Sequence, residues 1–353
     1  MLAHPGPGRH TDPVRWALLV GVMVVATTSH AQAKPVAPRP APAANRDDFW
    51  REVIEPHGDE VRDLLGKARN VMRQPDEAML TDAEWAVDQR MRFFRDAYNL
   101  LRYAHKLSPE NTDVLALLGR TADELGKTRE AIDALEASVR VTGADKAGAE
   151  VTGRLGAIYL RLGNRDTAIR YLRAAQGPIN PGTAESLVHL ANALAARGEV
   201  ASAIDTLQNV LPTGSLGYYG QDVALVAFSL AVIYDRDEQR SAAFEVLDHM
   251  QAAFQQQYWP HVQGELAKMR FAPAEDQHYY LGLLYESLGH YAEARAEWAL
   301  YAVSTDSAWR GRALDHIAAI DAQRRASPGI RPATQIAPPG GAVIRHRPPS
   351  VHP

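Results

Sequence analysis

The sequence predicts an all-α fold built as a solenoid of helix hairpins, on three observations. A motif of small residues recurs in one register along most of the chain. Its spacing is that of two short helices and a turn. One amphipathic segment follows the last copy, placed to cover an exposed end. The clearest copy is "LGLLYESLGHYAEARAEWALYA" at 281–302, where Gly282 sits inside an apolar-periodic segment. An interior Gly weakens a helix by about 1 kcal/mol relative to Ala, so its place here points to a neighbour too close for a side chain.

From the N-terminus, Arg9 and Arg15 precede the uncharged apolar run 16–26 and the small residues of "TTSHAQA". That is the layout of an export signal, and 1–31 is expected to be a cleaved signal peptide. The run is shorter than the roughly 20 residues of a membrane span; the alternative is an uncleaved anchor extending to Ala33. Residues 32–48 are a Pro/Ala-rich linker, because prolines lack the amide donor and favour extended chain. Residues 49–78 form an N-terminal helical segment, broken at Pro56-His57-Gly58, with Val61, Leu64, Leu65 and Ala68 on one face.

The repeats follow. Five segments place a small residue twelve positions before an alanine: Gly119 and Ala131, Gly156 and Ala168, Ala191 and Ala203, Ala231 and Ala243, Gly282 and Ala294. The two helices of each hairpin are expected to cross where these small residues meet. A glycine lies between them at 126, 163, 198 and 289, where a turn often needs φ > 0; the fourth copy has Glu238 there. Upstream, Ala97, Leu101, Ala104 and Pro109 read as the second half of a degenerate first copy, with Trp85 at the small position. The anchors at 85, 119, 156, 191, 231 and 282 are spaced by 34, 37, 35, 40 and 51.

This pattern resembles the tetratricopeptide repeat, a helix–turn–helix unit of about 34 residues. Tyr159, Tyr234 and Tyr285 fill the family's aromatic position. The resemblance implies a right-handed superhelix over 79–325, with about five clear repeats plus the degenerate first one. It also implies a concave groove lined by first-helix side chains. Of these, Arg120, Asn192, Phe228, Val232, Tyr279 and Leu283 are the expected partner-binding residues. Only Arg120 and Asn192 resemble a clamp for a peptide C-terminus, and the centre is apolar, so a hydrophobic or helical protein ligand fits better. A helix of the same chain filling the groove is the competing expectation.

The longest spacing contains an insertion at 254–276, with Tyr258, Trp259, Met269 and Phe271. It reads as a short helix packed over the solenoid, or as a lip with aromatic anchors. Residues 304–325 are expected to be a capping helix, with Trp309, Ala313, Ile317 and Ile320 on one stripe. Residues 326–353 are Pro/Gly-rich and are expected to be a disordered tail.

Nothing in the sequence assembles chemistry. The chain has 353 residues, a formal net charge of -4 and no cysteine, which removes disulfides, thiolate zinc sites and thiol catalysis and gives no basic domain for nucleic acid. "LGKTRE" ends like a phosphate-binding loop, but Thr121 stands where its first glycine belongs. Thirteen histidines include no His-Glu-x-x-His, and no serine lies in a Gly-x-Ser-x-Gly elbow. No catalytic residue, cofactor, metal or small-molecule substrate is expected. The expected function is a non-enzymatic scaffold for protein partners in the bacterial cell envelope, periplasmic or secreted. An inner-membrane-anchored adaptor facing the periplasm is the alternative. An accessory subunit of an envelope enzyme, or a hydrolase using the segment around His57, Asp59 and Glu60, is a more distant one.

Overall fold

The computed structural model describes residues 56–78, 84–143, 146–180, 182–212, 221–254, 259–305 and 307–326. The expected signal peptide, the linker and the tail beyond Ala326 lie outside these residues. Among the described residues there are fourteen helices and no strand. Helices α1 (Gly58–Ala78) and α2 (Glu84–Leu107) form a first hairpin. Then α3 (Thr112–Glu124) pairs with α4 (Thr128–Thr142), α5 (Ala149–Arg161) with α6 (Arg165–Ala174), α7 (Ala184–Ala195) with α8 (Val200–Gln208), and α9 (Gln221–Arg236) with α10 (Arg240–Phe254). Helix α11 (Trp259–Lys268) stands alone. Helix α12 (Asp276–Ser287) pairs with α13 (Tyr291–Val303), and α14 (Arg310–Ala326) packs on α13. The array is an all-helical repeat solenoid.

Glycine at the crossings has a steric cause. A Cβ on Gly119 would lie 2.4 Å from Leu135 Cγ and 3.2 Å from the Ala131 carbonyl. One on Gly156 would lie 2.4 Å from Leu172 Cγ and 3.2 Å from the Ala168 carbonyl. One on Gly282 would lie 2.7 Å from the Trp298 ring. The expected partners at +12 therefore offer their backbone or nothing, and the side chain that excludes a methyl group sits a turn later, at +16. Ala131, Ala168, Ala203, Ala243 and Ala294 are all buried, as are Ala191 and Ala231. The turns keep one backbone form: φ is +72° at Gly126, +75° at Gly163, +84° at Gly198 and +74° at Gly289, and Glu238 adopts +60° in the fourth copy. Asn111 and Asn164 cap their helices by accepting from the amides of Val114 (3.0 Å) and Thr167 (3.2 Å).

The first hairpin corrects the sequence expectation. Glu84–Leu107 is one continuous helix of 24 residues, so Trp85 and Ala97 cannot be the two halves of a repeat. No glycine or proline interrupts that stretch, and its partner is α1. The boundary at 79 consequently falls inside a hairpin. The expected face of α1 is buried against it: Val61, Leu64, Leu65 and Ala68 share a core with Phe94, Ala97, Tyr98 and Leu101.

Consecutive hairpins join by second helix on first helix: α4 on α5, α6 on α7, α8 on α9. After the fifth hairpin this step is taken over by α11, which contacts both α9 and α12. The capping helix starts at Arg310, six residues later than expected, and buries Ala313, His316 and Ile320. Trp309 and Ile317, expected on the same stripe, are half-buried.

Candidate partner-binding face

The first helices α3, α5, α7 and α9 contact one another in sequence and form one continuous face. The structure places the expected groove residues on it but not in the open. Phe228, Val232 and Tyr279 have no exposed surface, and Asn192 and Leu283 keep 5% each. Arg120 is half-buried and pairs with Glu150 at 3.3 Å. The expectation that Phe228 and Tyr279 line an accessible channel is therefore overturned: both belong to the core. The competing expectation describes the molecule, because the chain fills its own groove.

Over Phe228 the filling is residues 259–271, and over Tyr279 it is Trp298, Tyr301 and Trp309. Trp259, Val262, Leu266 and Met269 recur at helical spacing and are buried, as is Phe271. Trp259 meets Phe228 edge-on with ring centroids 6.3 Å apart, and Phe271 lies 4.9 Å from Tyr280. The neighbouring Arg270 then reaches back across the face. Its Nη2 donates to Glu124 Oε2 at 2.6 Å and its Nη1 to the Asp123 carbonyl at 3.3 Å, both at the end of α3.

Asp123 and Glu124 are the acids of a cation-rich cluster. Arg154 reaches Asp123 Oδ2 (2.9 Å) and Glu124 Oε1 (3.1 Å), Arg161 bonds Asp123 Oδ1, and Arg90 lies 3.3 Å from Glu124 Oε2. Burial would raise the Glu124 carboxyl, but Arg270, Arg154 and Arg90 together hold it below the usual carboxylate range. Burial lowers the Arg161 guanidinium, and although Asp123 opposes this, the like charges of Arg270 and Arg154 add to the lowering.

A second polar knot ties α12 down. Arg236, fully buried, donates from Nη1 to Asn192 Oδ1 (3.0 Å) and stacks on Trp309 (4.0 Å) and Tyr279 (4.6 Å). Its Nη2 lies 3.0 Å from Asp276 Oδ1, in ion-pair range but at an angle poor for a hydrogen bond. Tyr280 Oη donates to the same Asn192 oxygen at 3.0 Å. Asn192 thus serves as a buried junction instead of a peptide clamp. A third knot joins the cap: Tyr279 Oη donates to Asp235 Oδ2 (2.7 Å), Arg312 Nη2 to Asp235 Oδ1 (2.6 Å), and His316 sits between Asp235 and Glu286.

The residues that close the face, Arg270, Arg236, Asp276 and His316, were not legible beforehand. Each depends on a partner at least 30 residues away in sequence, which helical periodicity does not encode. His57 and Glu60 lie 3.7 Å apart and half-exposed at the start of α1, and Tyr103 Oη donates to Glu60 Oε1 at 3.1 Å from α2. No group of three or more His, Asp or Glu with metal-binding geometry occurs among the described residues.

Comparison with known proteins bears on the family. Two tetratricopeptide-repeat family models match, over residues 94–155 and 154–217. Residues 94–217 are tetratricopeptide repeats (TPR). No curated protein matches it. Among solved structures, this TPR chain is similar to MamA, at 19% identity over 51% of this chain and 92% of that one with a TM-score of 0.35. It is similar to YrrB, described as a TPR protein with an unusual peptide-binding site, at 18% over 56% and 98%, TM-score 0.37. It is also similar to PilW, described as a type IV pilus biogenesis factor, at 16% over 70% and 98%, TM-score 0.39. The matched segments begin within α2 and end after α8, so the first-helix face under α11 extends beyond the matched TPR region.

Proposed function

We propose that this TPR protein is a non-enzymatic scaffold that binds protein partners in the bacterial cell envelope. The repeats carry the reading. TPR hairpins present broad packed helical faces, and the titratable clusters of this chain are saturated by one another. Asp235, Glu286 and His316 bond among themselves, and Asp123 and Glu124 are held by arginines. A nucleophile with a base at hand and an open position for a substrate is what such an arrangement lacks among the described residues. The envelope location rests on the sequence of 1–31 alone. No helix of the described residues is long and apolar enough to cross a membrane.

The test has two arms. Crosslinking and affinity capture of the full-length chain from its native cells should return a defined protein set that a chain with unfolded repeats does not return. An empty capture at native expression sinks the scaffold reading. Osmotic-shock fractionation with N-terminal sequencing should find a soluble chain beginning near residue 32. A membrane-bound chain retaining 16–33 would replace that location with the anchored adaptor.

A further inference from the structure

We propose that the first-helix face around Phe228 and Tyr280 is a helix-binding groove that the chain occupies with its own segment 259–271, and that a partner enters by laying an amphipathic helix of the same pattern in its place. The inference rests on the protein-binding reading above and names its surface and the kind of partner. Four observations carry it.

The segment is additional to the repeat. The spacing of 51 between Ala231 and Gly282 exceeds the 34 to 40 of the other anchors, and the earlier hairpins stack directly without such a helix. The segment also meets the face as a docked helix does. Trp259, Val262, Leu266 and Met269 point in, while Gln263, Gly264, Ala267 and Lys268 are exposed. Trp259 is its aromatic anchor against Phe228.

Its ionic contact is dispensable. Arg270 is 39% exposed, and Arg90, Arg154 and Arg161 already face the same two carboxylates. Withdrawing Arg270 strands no buried charge and relieves crowding among the cations. The next element is held differently. Asp276 faces the fully buried Arg236, and parting that pair would leave a charge unpaired in the core. The boundary between what can leave and what stays therefore falls between Phe271 and Asp276. Such a division makes 259–271 a separate opening unit on a fixed frame.

The partner helix is specified by what it replaces: an aromatic residue, aliphatics three and seven positions on, an apolar residue at ten, and a cation directly after it. The cation answers Asp123 and Glu124.

Hydrogen exchange and peptide binding on the full-length chain test this. The probe is the labelled synthetic peptide WPHVQGELAKMRF, the sequence of 259–271. In the wild type, amides of 262–269 should exchange faster than those of α9 and α12, in a step of their own. Arg270→Ala should speed that step and tighten peptide binding by about tenfold, since apparent affinity follows the fraction of open groove. Gly264→Ala, at a site where a Cβ meets nothing within 4 Å, should do the reverse by about fivefold through helix propensity. A peptide with its arginine replaced by alanine should bind more weakly. Exchange of 262–269 together with α9 and α12 in the wild type would overturn the inference even if Arg270→Ala fails to fold. So would equal peptide affinity across the three chains. A partner captured equally by all three chains removes the inference and leaves the scaffold reading. A groove that opens and takes the peptide, in a protein that captures no partner, does the opposite.

Discussion

His316 Nε2 lies 2.9 Å from Asp235 Oδ2, joining the capping helix to the fifth hairpin across 81 residues. The other ring nitrogen lies 2.8 Å from Glu286, and the ring stacks on Trp298 with centroids 4.3 Å apart. Burial alone would lower the imidazole, but the hydrogen bonds to the two carboxylates, with their charges, push it up to about 9. Burial would raise Asp235, and the bonds from His316, Arg312 and Tyr279 bring it down to about 2.

The pH dependence follows from these directions. A raised histidine contributes stability that is complete below its unfolded value, near 6.5, and is lost as pH rises through about 9. The depressed Asp235 contributes stability present above its unfolded value, near 3.9, and lost as pH falls through about 2. Protection of α14 against hydrogen exchange should therefore be highest between about pH 4 and 6.5 and decline toward pH 9. His316→Gln should flatten the alkaline decline. An unchanged alkaline profile in that variant would show that His316 stays neutral.

Gly156→Ala should destabilise the second clear repeat by about 1–3 kcal/mol, because the new methyl group meets Leu172 Cγ at 2.4 Å in a buried contact. Combining it with Leu172→Ala should cost less than the two single changes summed, since the second change vacates the space the first needs. Urea unfolding of the four chains measures this, and strict additivity would count against the crossing geometry.

Asp276→Ala should lower stability by about 3–5 kcal/mol, because it leaves Arg236 charged and unpaired among Tyr279, Tyr280 and Trp309. The double change Arg236→Met with Asp276→Leu should recover much of the loss. If the single change proves silent in thermal unfolding, the pair contributes nothing to holding α12.

Glu238→Gly should stabilise the protein by up to about 1 kcal/mol, since Glu238 holds φ at +60° where the other turns use glycine. The gain is partly offset by the greater freedom of glycine in the unfolded chain. A lower melting temperature in this variant would mean that the Glu238 side chain has a compensating role.

Phe228→Ala should damage the fold itself, by about 3–5 kcal/mol, because the ring is wholly buried between Trp259 and Tyr280. A variant that keeps wild-type stability in a denaturant titration would return Phe228 to an accessible groove.

The sequence by itself determined the hairpins. Gly119, Gly156 and Gly282 mark crossings and Gly126, Gly163 and Gly289 mark turns, because those constraints act between residues a dozen or so apart and repeat in one register. It did not place the first hairpin, where a long uninterrupted helix carries no repeat punctuation. Nor did it distinguish an open groove from a filled one. Phe228 has the same apolar character whether it faces a partner or Trp259 of the chain's own α11, and Tyr279 whether it faces a partner or Trp298 and Trp309. Only the tertiary structure decided that, since closure depends on Trp259 reaching Phe228, Arg270 reaching Glu124 and Asp276 reaching Arg236. The Arg270 contact spans 146 residues, and pairing at that separation is set by how the hairpins stack, not by any local pattern in the chain.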